Sequence, residues 1–263
     1  MILHEGGFHT GSIFRLQLDT VAGALRDHGY YVLIATYRLA PCDVITGQTC
    51  HDESTQAGKD SGRPTQQVND IKSLVRAARA DGKCNGFLGI VGGSAGATHA
   101  AWVAIDQTES LVWPVWNSTL RPDCVVCLSG AYDFGDETDP GYETITGFEE
   151  NIENYTDTCD PRIENLYAPV TLLAGQPTDI KPMLLVNSME DLMPFSQIGD
   201  MVCALERRGV SSTLYQTLSI PGSDHAFDFW YDWDGGIVVP PNPTLTVATH
   251  AVAFLDQNLK PPP

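Results

Sequence analysis

Short apolar runs alternate along this chain with longer stretches whose apolar residues recur at helical spacing. Four runs are too continuous in aliphatic and β-branched residues for strands with one solvated face: Tyr31–Thr36, Phe87–Val91, Val125–Leu128 and Met183–Val186. Helical periodicity marks five other stretches: Leu16–His28, Thr65–Ala80, Ala95–Ile105, Phe195–Arg208 and Thr246–Leu259. This order is typical of a mostly parallel sheet with helices on both faces, so the sequence predicts a single α/β domain over residues 1–263.

Two long stretches interrupt the alternation. Residues 43–63 are polar and glycine-rich, which predicts a surface loop. Residues 135–181 lie between two predicted strands, yet they are acidic, aromatic and loop-like. The length of this second stretch predicts a cap-like insertion within the domain.

Charge and composition exclude several classes of protein. The chain carries 33 acidic against 15 basic side chains, a formal charge of -18, which repels phosphate backbones and anionic lipid head groups. We therefore expect neither a nucleic-acid partner nor a membrane partner. Apolar residues at 43% and charged residues at 18% are values of a folded globular protein. No apolar run approaches the roughly 20 residues that span a bilayer.

The cysteines bear on metal binding and on the cellular compartment. Cys124 and Cys127 form a C-x-x-C within an apolar run, which favours a core strand over a zinc site, because alternate residues of a strand face opposite sides. Cys42 and Cys50 bracket a short polar loop that a disulfide could close. Seven cysteines are more than a cytosolic enzyme of this size needs, and residues 1–5 do not resemble a signal peptide. We expect a secreted or periplasmic protein whose leader was removed.

A glycine-flanked serine follows one apolar run and precedes a predicted helix. Gly92-Gly93-Ser94-Ala95-Gly96 fits the pattern G-x-S-x-G, in which a strained turn presents the serine and the glycines let strand and helix approach without Cβ clashes. This context predicts that Ser94 is a catalytic nucleophile. The alternative is a glycine-rich turn without a chemical role.

A serine hydroxyl needs a base to take its proton. His225 lies in a loop after the strand-like residues 213–220 and before the last helix, where the base belongs in a hydrolase with the order serine, acid, histidine. Four other histidines fit surface or packing roles instead: His28, His51, His99 and His250. The sequence therefore predicts His225 as the base.

The acid must lie between serine and histidine, at the carboxyl end of a strand, to hold the imidazole in one tautomer. Asp191 meets this condition, since it follows the run at 183–186. Its neighbour Glu190 and the earlier Asp133 are the alternatives. A one-residue shift points Glu190 elsewhere, so Asp191 is preferred.

Further motifs carry a resemblance to a known family. His4-Glu5-Gly6-Gly7-Phe8 is similar to an H-G-G-G-[FW] oxyanion motif with Glu5 in place of a glycine, and Tyr37-Arg38-Leu39-Ala40-Pro41 matches Y-R-L-A-P, with Asp70 following. The segments at 191–194 and 222–227 match acid and base loops. Together these motifs resemble the α/β-hydrolase carboxylesterases of the hormone-sensitive-lipase-like and feruloyl- or acetyl-esterase-like groups.

The resemblance implies ester hydrolysis by Ser94, Asp191 and His225, without cofactor or metal, on a small-molecule or polymeric ester. It implies an oxyanion hole made by the backbone N–H groups of Gly6, Gly7 and Ala95. Family members usually have two strands before the oxyanion motif. The resemblance therefore predicts a sheet that lacks these strands and has the run at 31–36 at its edge.

Substrate contacts and the reaction class leave alternatives. Aromatic residues in loops, Phe8 and Phe227 among them, are candidates for substrate binding, with core packing as the alternative. A triad of this kind also cleaves amides, so an arylformamidase or a peptidase is a competing function. A catalytically inactive binding protein on the same fold is the second competitor, although all three triad residues are present.

Overall fold

Buried aliphatic runs form a central sheet in the protein, for which a computed structural model describes residues 1–41, 62–107, 120–135, 147–230 and 245–260. The strands are β1 (Ile2–Leu3), β2 (Ile34–Ala35), β3 (Gly89–Gly93), β4 (Cys124–Leu128), β5 (Met183–Ser188) and β6 (Tyr215–Ile220). They form one six-stranded sheet in the order β2-β1-β3-β4-β5-β6. Every neighbouring pair is parallel, as the apolar runs predict.

The strand β2 lies at one edge of the described sheet, where the sequence places the run at 31–36. It is shorter than predicted. Only Ile34 and Ala35 pair with the neighbouring strand, because β1 itself offers just Ile2 and Leu3 as partners.

Helices cover both faces of the sheet, as predicted. The helices α1 (Leu16–Asp27) and α8 (Val247–Leu259) pack on one face. The other face carries α2 (Pro64–Ala80), α3 (Ala95–Ile105) and α7 (Ser196–Arg208). No helix in the described ranges is long and apolar enough to cross a membrane.

Cysteines of the central strand β4 lie on opposite faces of the sheet. Cys124 belongs to the apolar cluster under α1 and α8, whereas Cys127 belongs to the cluster under the other helices. Burial raises the pKa of the Cys124 thiol to about 12 and raises that of Cys127 as well, so both behave as inert core residues. Cys42 and Cys50, whose pairing the sequence predicts, lie outside the described residues.

The stretch at 135–181, whose sequence is loop-like, contains three helices between residues 148 and 175. It holds α4 (Phe148–Thr156), α5 (Pro161–Glu164) and α6 (Pro169–Gly175). In α4 the buried residues Phe148, Ile152 and Tyr155 recur at helical spacing, but acidic residues between them hide the pattern. These side chains pack in one cluster with Phe8 and Ala95, which brings α4 next to the serine turn.

Candidate active site

Ser94 occupies a sharp turn between β3 and α3, as the G-x-S-x-G pattern predicts. Its φ is 50° and its ψ is -120°, a conformation that few residues with a side chain adopt. A Cβ on Gly92 would lie 2.2 Å from the carbonyl oxygen of Gly96, and a Cβ on Gly96 would lie 2.6 Å from the carbonyl oxygens of Leu3 and His4. Only glycine fits at both positions, so the glycines allow the turn that presents Ser94.

His225 and Asp191 form a close hydrogen-bonded pair beside this turn. The Nδ1 atom of His225 lies 2.5 Å from Oδ1 of Asp191. Ser94, Asp191 and His225 follow β3, β5 and β6, and the carboxyl ends of parallel strands meet at one edge of a sheet. Ser94 and His225 line the same cavity of about 260 Å³. The structure thus brings the three predicted catalytic residues to one place.

The alternative acids have other surroundings. Oδ1 of Asp133 accepts a hydrogen bond of 3.0 Å from the backbone N–H of Gly135, two residues ahead. The Glu190 side chain is exposed, and its backbone N–H bonds to the carbonyl oxygen of Gly222 at 2.9 Å. Asp191 is the carboxylate that meets His225.

The alternative bases have packing or surface roles where the structure describes them. His99 is buried, it bonds to Oε1 of Gln67 at 2.9 Å, and burial lowers its pKa to about 3. His28 ends α1, and His250 bonds to Gln216 on the exposed side of α8. His51 lies outside the described residues.

Electrostatics at His225 combine two opposing influences. Burial lowers the pKa of the imidazole, but the hydrogen bond and charge of Asp191, with the charges of Glu5 and Asp228, raise it more. The net pKa lies above the ordinary value of 6.5. The imidazole is neutral, and so able to accept a proton, mainly at pH values above its own pKa.

The glycine loop after β1 forms another wall of the cavity. Gly6 and Gly7 both line it, and Gly7 has a φ of 55°. A Cβ on Gly7 would lie 2.8 Å from the amide oxygen of Asn151, which comes from α4. The backbone N–H groups of Gly6, Gly7 and Ala95 donate to no acceptor among the described residues, so they are free to bind a ligand oxygen.

The Y-R-L-A-P segment supports this glycine loop. The Tyr37 hydroxyl donates to the carbonyl oxygen of His4 at 3.0 Å, and the two rings stack with centroids 4.4 Å apart. The carbonyl oxygen of Phe8 accepts from the N–H of Ala40 and from the Gln67 amide, each at 2.8 Å. These bonds hold both ends of the loop.

Arg38 and Asp70 connect the same segment to α2. The Nε and Nη2 atoms of Arg38 each donate to one carboxylate oxygen of Asp70 at 2.8 Å, a bidentate pair. Tyr37, Arg38 and Asp70 therefore support the glycine loop and its neighbouring segment and are not among the residues that line the cavity.

Phe8 and Phe227, the predicted candidates for substrate contact, lie in core-packing positions, which was the alternative. Phe8 is 3% exposed and stacks on Tyr155 with centroids 4.0 Å apart, while Phe227 is 1% exposed and packs against Gly93. Both rings fill the core because the surrounding helices enclose them. The apolar wall of the cavity is instead formed by Phe148, Leu192 and Met193.

Two polar residues of the cavity have no sequence signal. Nη1 of Arg15 bonds to Oε1 of Glu5 at 2.8 Å, and both residues line the cavity with Asn151. Glu5, which replaces a glycine of the family motif, thus binds a neighbour across the cavity wall. Arg15 and Asn151 stand alone in unremarkable stretches of sequence, so no pattern marks them.

Comparison with known proteins identifies the fold. No protein-family model and no curated protein matches the sequence. Among solved structures, the propionate-bound esterase Est2 of Thermogutta terrifontis matches with a TM-score of 0.63 and 18% identity over 100% of this chain and 84% of its own. The esterase rPPE matches with a TM-score of 0.65 and 18% identity over 99% of this chain and 75% of its own. This chain has the α/β-hydrolase fold. Esterase B of Lactobacillus rhamnosus shares it, with a TM-score of 0.60 and 19% identity over 84% of this chain.

The chain spans 63% of the length of esterase B. In an α/β-hydrolase the nucleophile, acid and base follow strands of one sheet at the same edge, in the chain order serine, acid, histidine. Ser94, Asp191 and His225 occupy these places in the present sheet.

Proposed function

We propose that this α/β-hydrolase is a serine carboxylesterase that works through an acyl-enzyme intermediate. The observation that carries the proposal is the meeting of the strained Ser94 turn, the Asp191–His225 pair and the glycine loop around one cavity. Each part answers a need of acyl transfer: a nucleophile, an oriented base and N–H donors for a developing oxyanion.

The positions of Ser94, His225 and Asp191 around the cavity suggest the steps of the reaction. Nε2 of His225 takes the Ser94 proton as Oγ attacks the ester carbonyl, and Asp191 stabilises the resulting imidazolium through Nδ1. Backbone N–H groups of Gly6, Gly7 and Ala95 bind the oxyanion. Its collapse breaks the ester bond, and His225 gives its proton to the leaving alcohol. Water then attacks the acyl-enzyme by the same route and releases the acid.

The structural neighbours support action on esters. Est2, rPPE and esterase B are esterases, and the Est2 structure holds propionate, a short carboxylate. The supported loop at 4–8 and the Arg38–Asp70 pair further favour the hormone-sensitive-lipase-like and feruloyl- or acetyl-esterase-like groups. Small-molecule esters are the proposed substrates.

A panel of p-nitrophenyl esters, run beside the matching anilides, tests this function. We expect hydrolysis of the acetyl to butyryl esters, with kcat/KM at least about tenfold higher than for octanoyl, because a cavity of about 260 Å³ is small. Anilides should react far more slowly. Faster cleavage of the anilides would favour the peptidase or arylformamidase alternative, and inertness toward both series would contradict a hydrolase function.

We expect the midpoint of the acid limb of the pH profile to lie above pH 6.5. His225 must be deprotonated to act as a base, and its pKa is raised above 6.5. Glu5→Gln removes one of the charges that raise this pKa, so the limb should move to lower pH while the plateau changes little. Log kcat/KM against pH at constant ionic strength measures both.

Glu206→Gln is the matched control, since it removes an exposed carboxylate from α7. Its limb should coincide with that of the parent. A Glu5→Gln limb that stays in place or rises would contradict the electrostatic role of Glu5.

A further inference from the structure

A buried serine outside the predicted triad connects the loops that carry the acid and the base. Ser129 follows β4 directly, is fully buried and has a φ of 54°. Its hydroxyl donates to Oδ2 of Asp191 at 2.5 Å and accepts from the backbone N–H of Ala226 at 2.9 Å. Its own N–H bonds to the carbonyl oxygen of Val186 in β5 at 2.8 Å. The loops after β4, β5 and β6 therefore meet at this side chain.

The two oxygens of Asp191 have different partners. Oδ1 faces Nδ1 of His225 at 2.5 Å and also accepts from the N–H of Met193 at 2.9 Å. Among the described residues, Oδ2 accepts only from Ser129. A carboxylate rotates about its Cβ–Cγ bond, so a bond at Oδ2 fixes the direction in which Oδ1 points. Ala226 directly follows His225, so the second bond of Ser129 fixes the base from the other side.

We propose that Ser129 is a positioning residue for the reaction, which holds the Asp191 carboxylate and the His225 backbone in their productive orientation. The proposal rests on the proposed function. This role differs from a purely structural one, because the Ser129 hydrogen bond also affects how strongly the Asp191 charge stabilises the protonated form of His225. The Ser129 O–H donates a hydrogen bond to the carboxylate and stabilises its charge. Asp191 therefore stabilises the His225 imidazolium less than it would without this bond.

Loss of the hydroxyl should have two effects. The carboxylate gains freedom to rotate, so kcat should fall about tenfold to a hundredfold with little change in KM. The less stabilised carboxylate should also hold the imidazolium proton more strongly, so the titration midpoint of His225 should rise. The other charges that face His225 are Glu5, which is paired with Arg15, and Asp228, and they are unchanged by the substitution.

Two variants remove the hydroxyl. Ser129→Ala keeps a Cβ, and Ser129→Gly relieves the left-handed backbone, so it stays folded even where alanine does not. The control is Ser188→Ala, which removes another buried hydroxyl, one that donates to the carbonyl oxygen of Asp224 beside the base at 2.7 Å. The control should lose a similar amount of thermal stability, but its His225 midpoint should stay where it is in the parent.

The measurements are kcat and KM for p-nitrophenyl acetate, Tm, and the proton NMR titration of the His225 Nδ1 hydrogen. We expect lower kcat and a higher midpoint in both Ser129 variants. An unchanged or lower midpoint, or kinetics equal to those of Ser188→Ala, would overturn the proposal. If the parent is inactive on all esters, the proposed function fails, and the NMR titration still decides the role of Ser129.

Discussion

Ser94→Ala is expected to lower kcat/KM for p-nitrophenyl acetate by at least about 10⁴-fold, because the variant has no nucleophile for the oriented His225 to activate. Residual hydrolysis should reflect only the oxyanion donors and substrate binding. The fold should survive, since alanine loses one hydroxyl that accepts no essential bond of the turn. A fluorophosphonate probe should label the parent at this serine and leave the variant unlabelled.

Ser73→Ala is the matched control for this substitution. Its hydroxyl bonds to the carbonyl oxygen of Asn69 within α2 at 2.9 Å, away from the cavity. We expect parental activity and labelling. A Ser94→Ala protein with parental Tm and turnover within tenfold of the parent would end the serine-hydrolase proposal.

Asp191→Asn is expected to cost about 10⁴-fold in kcat, because an amide nitrogen can take the place of Oδ1 and favour the wrong imidazole tautomer. The buried charge that stabilises the imidazolium also disappears. KM should change little, since Asp191 lies behind His225 and does not face the substrate. Steady-state kinetics above the acid limb measure the loss.

Two substitutions of nearby carboxylates serve as comparisons. Asp133→Asn keeps the side-chain oxygen that accepts from Gly135, and Glu190→Gln changes an exposed side chain. Both should remain within about threefold of the parent. A loss of several orders of magnitude in Asp133→Asn, with a small loss in Asp191→Asn, would reassign the acid.

The sequence allows prediction of β2 to β5 because each overlaps a continuous apolar run, and of the covering helices because each has one apolar face. The strand β1 is not predicted, since Ile2 and Leu3 are too few to form a run. The sequence also predicts that Ser94, Asp191 and His225 lie together, because each lies in the turn or loop after a strand of one parallel sheet. Helix α4 escapes prediction, since Phe148, Ile152 and Tyr155 are separated by acidic residues that face away from the core. Helical periodicity predicts a helix from sequence only when the apolar residues of the segment are not outnumbered by charged ones.

The burial of Phe8 and Phe227 and the role of Ser129 could not be predicted from the sequence, for the same physical reason. The sequence around an aromatic residue in a loop does not show whether its ring will be buried or exposed. Phe8 and Phe227 are buried by helices that lie far from them along the chain. Ser129 is similar. Its hydroxyl gains its role only because loops after β5 and β6 converge on it, 62 and 97 residues away.

Four residues with side chains have positive φ angles around this one site: Phe8, Ser94, Ser129 and Ala226, with φ values of 67°, 50°, 54° and 51°. Each such conformation disfavours the folded state by about 1–3 kcal/mol. Glycine at Ser94 or Ala226 would relieve the strain without removing a buried side-chain hydrogen bond, so a search for heat-resistant variants would select it there. Selection for thermal tolerance and selection for turnover therefore oppose each other here, so gains in robustness must come from the helical layers and not from the loops at the end of the sheet.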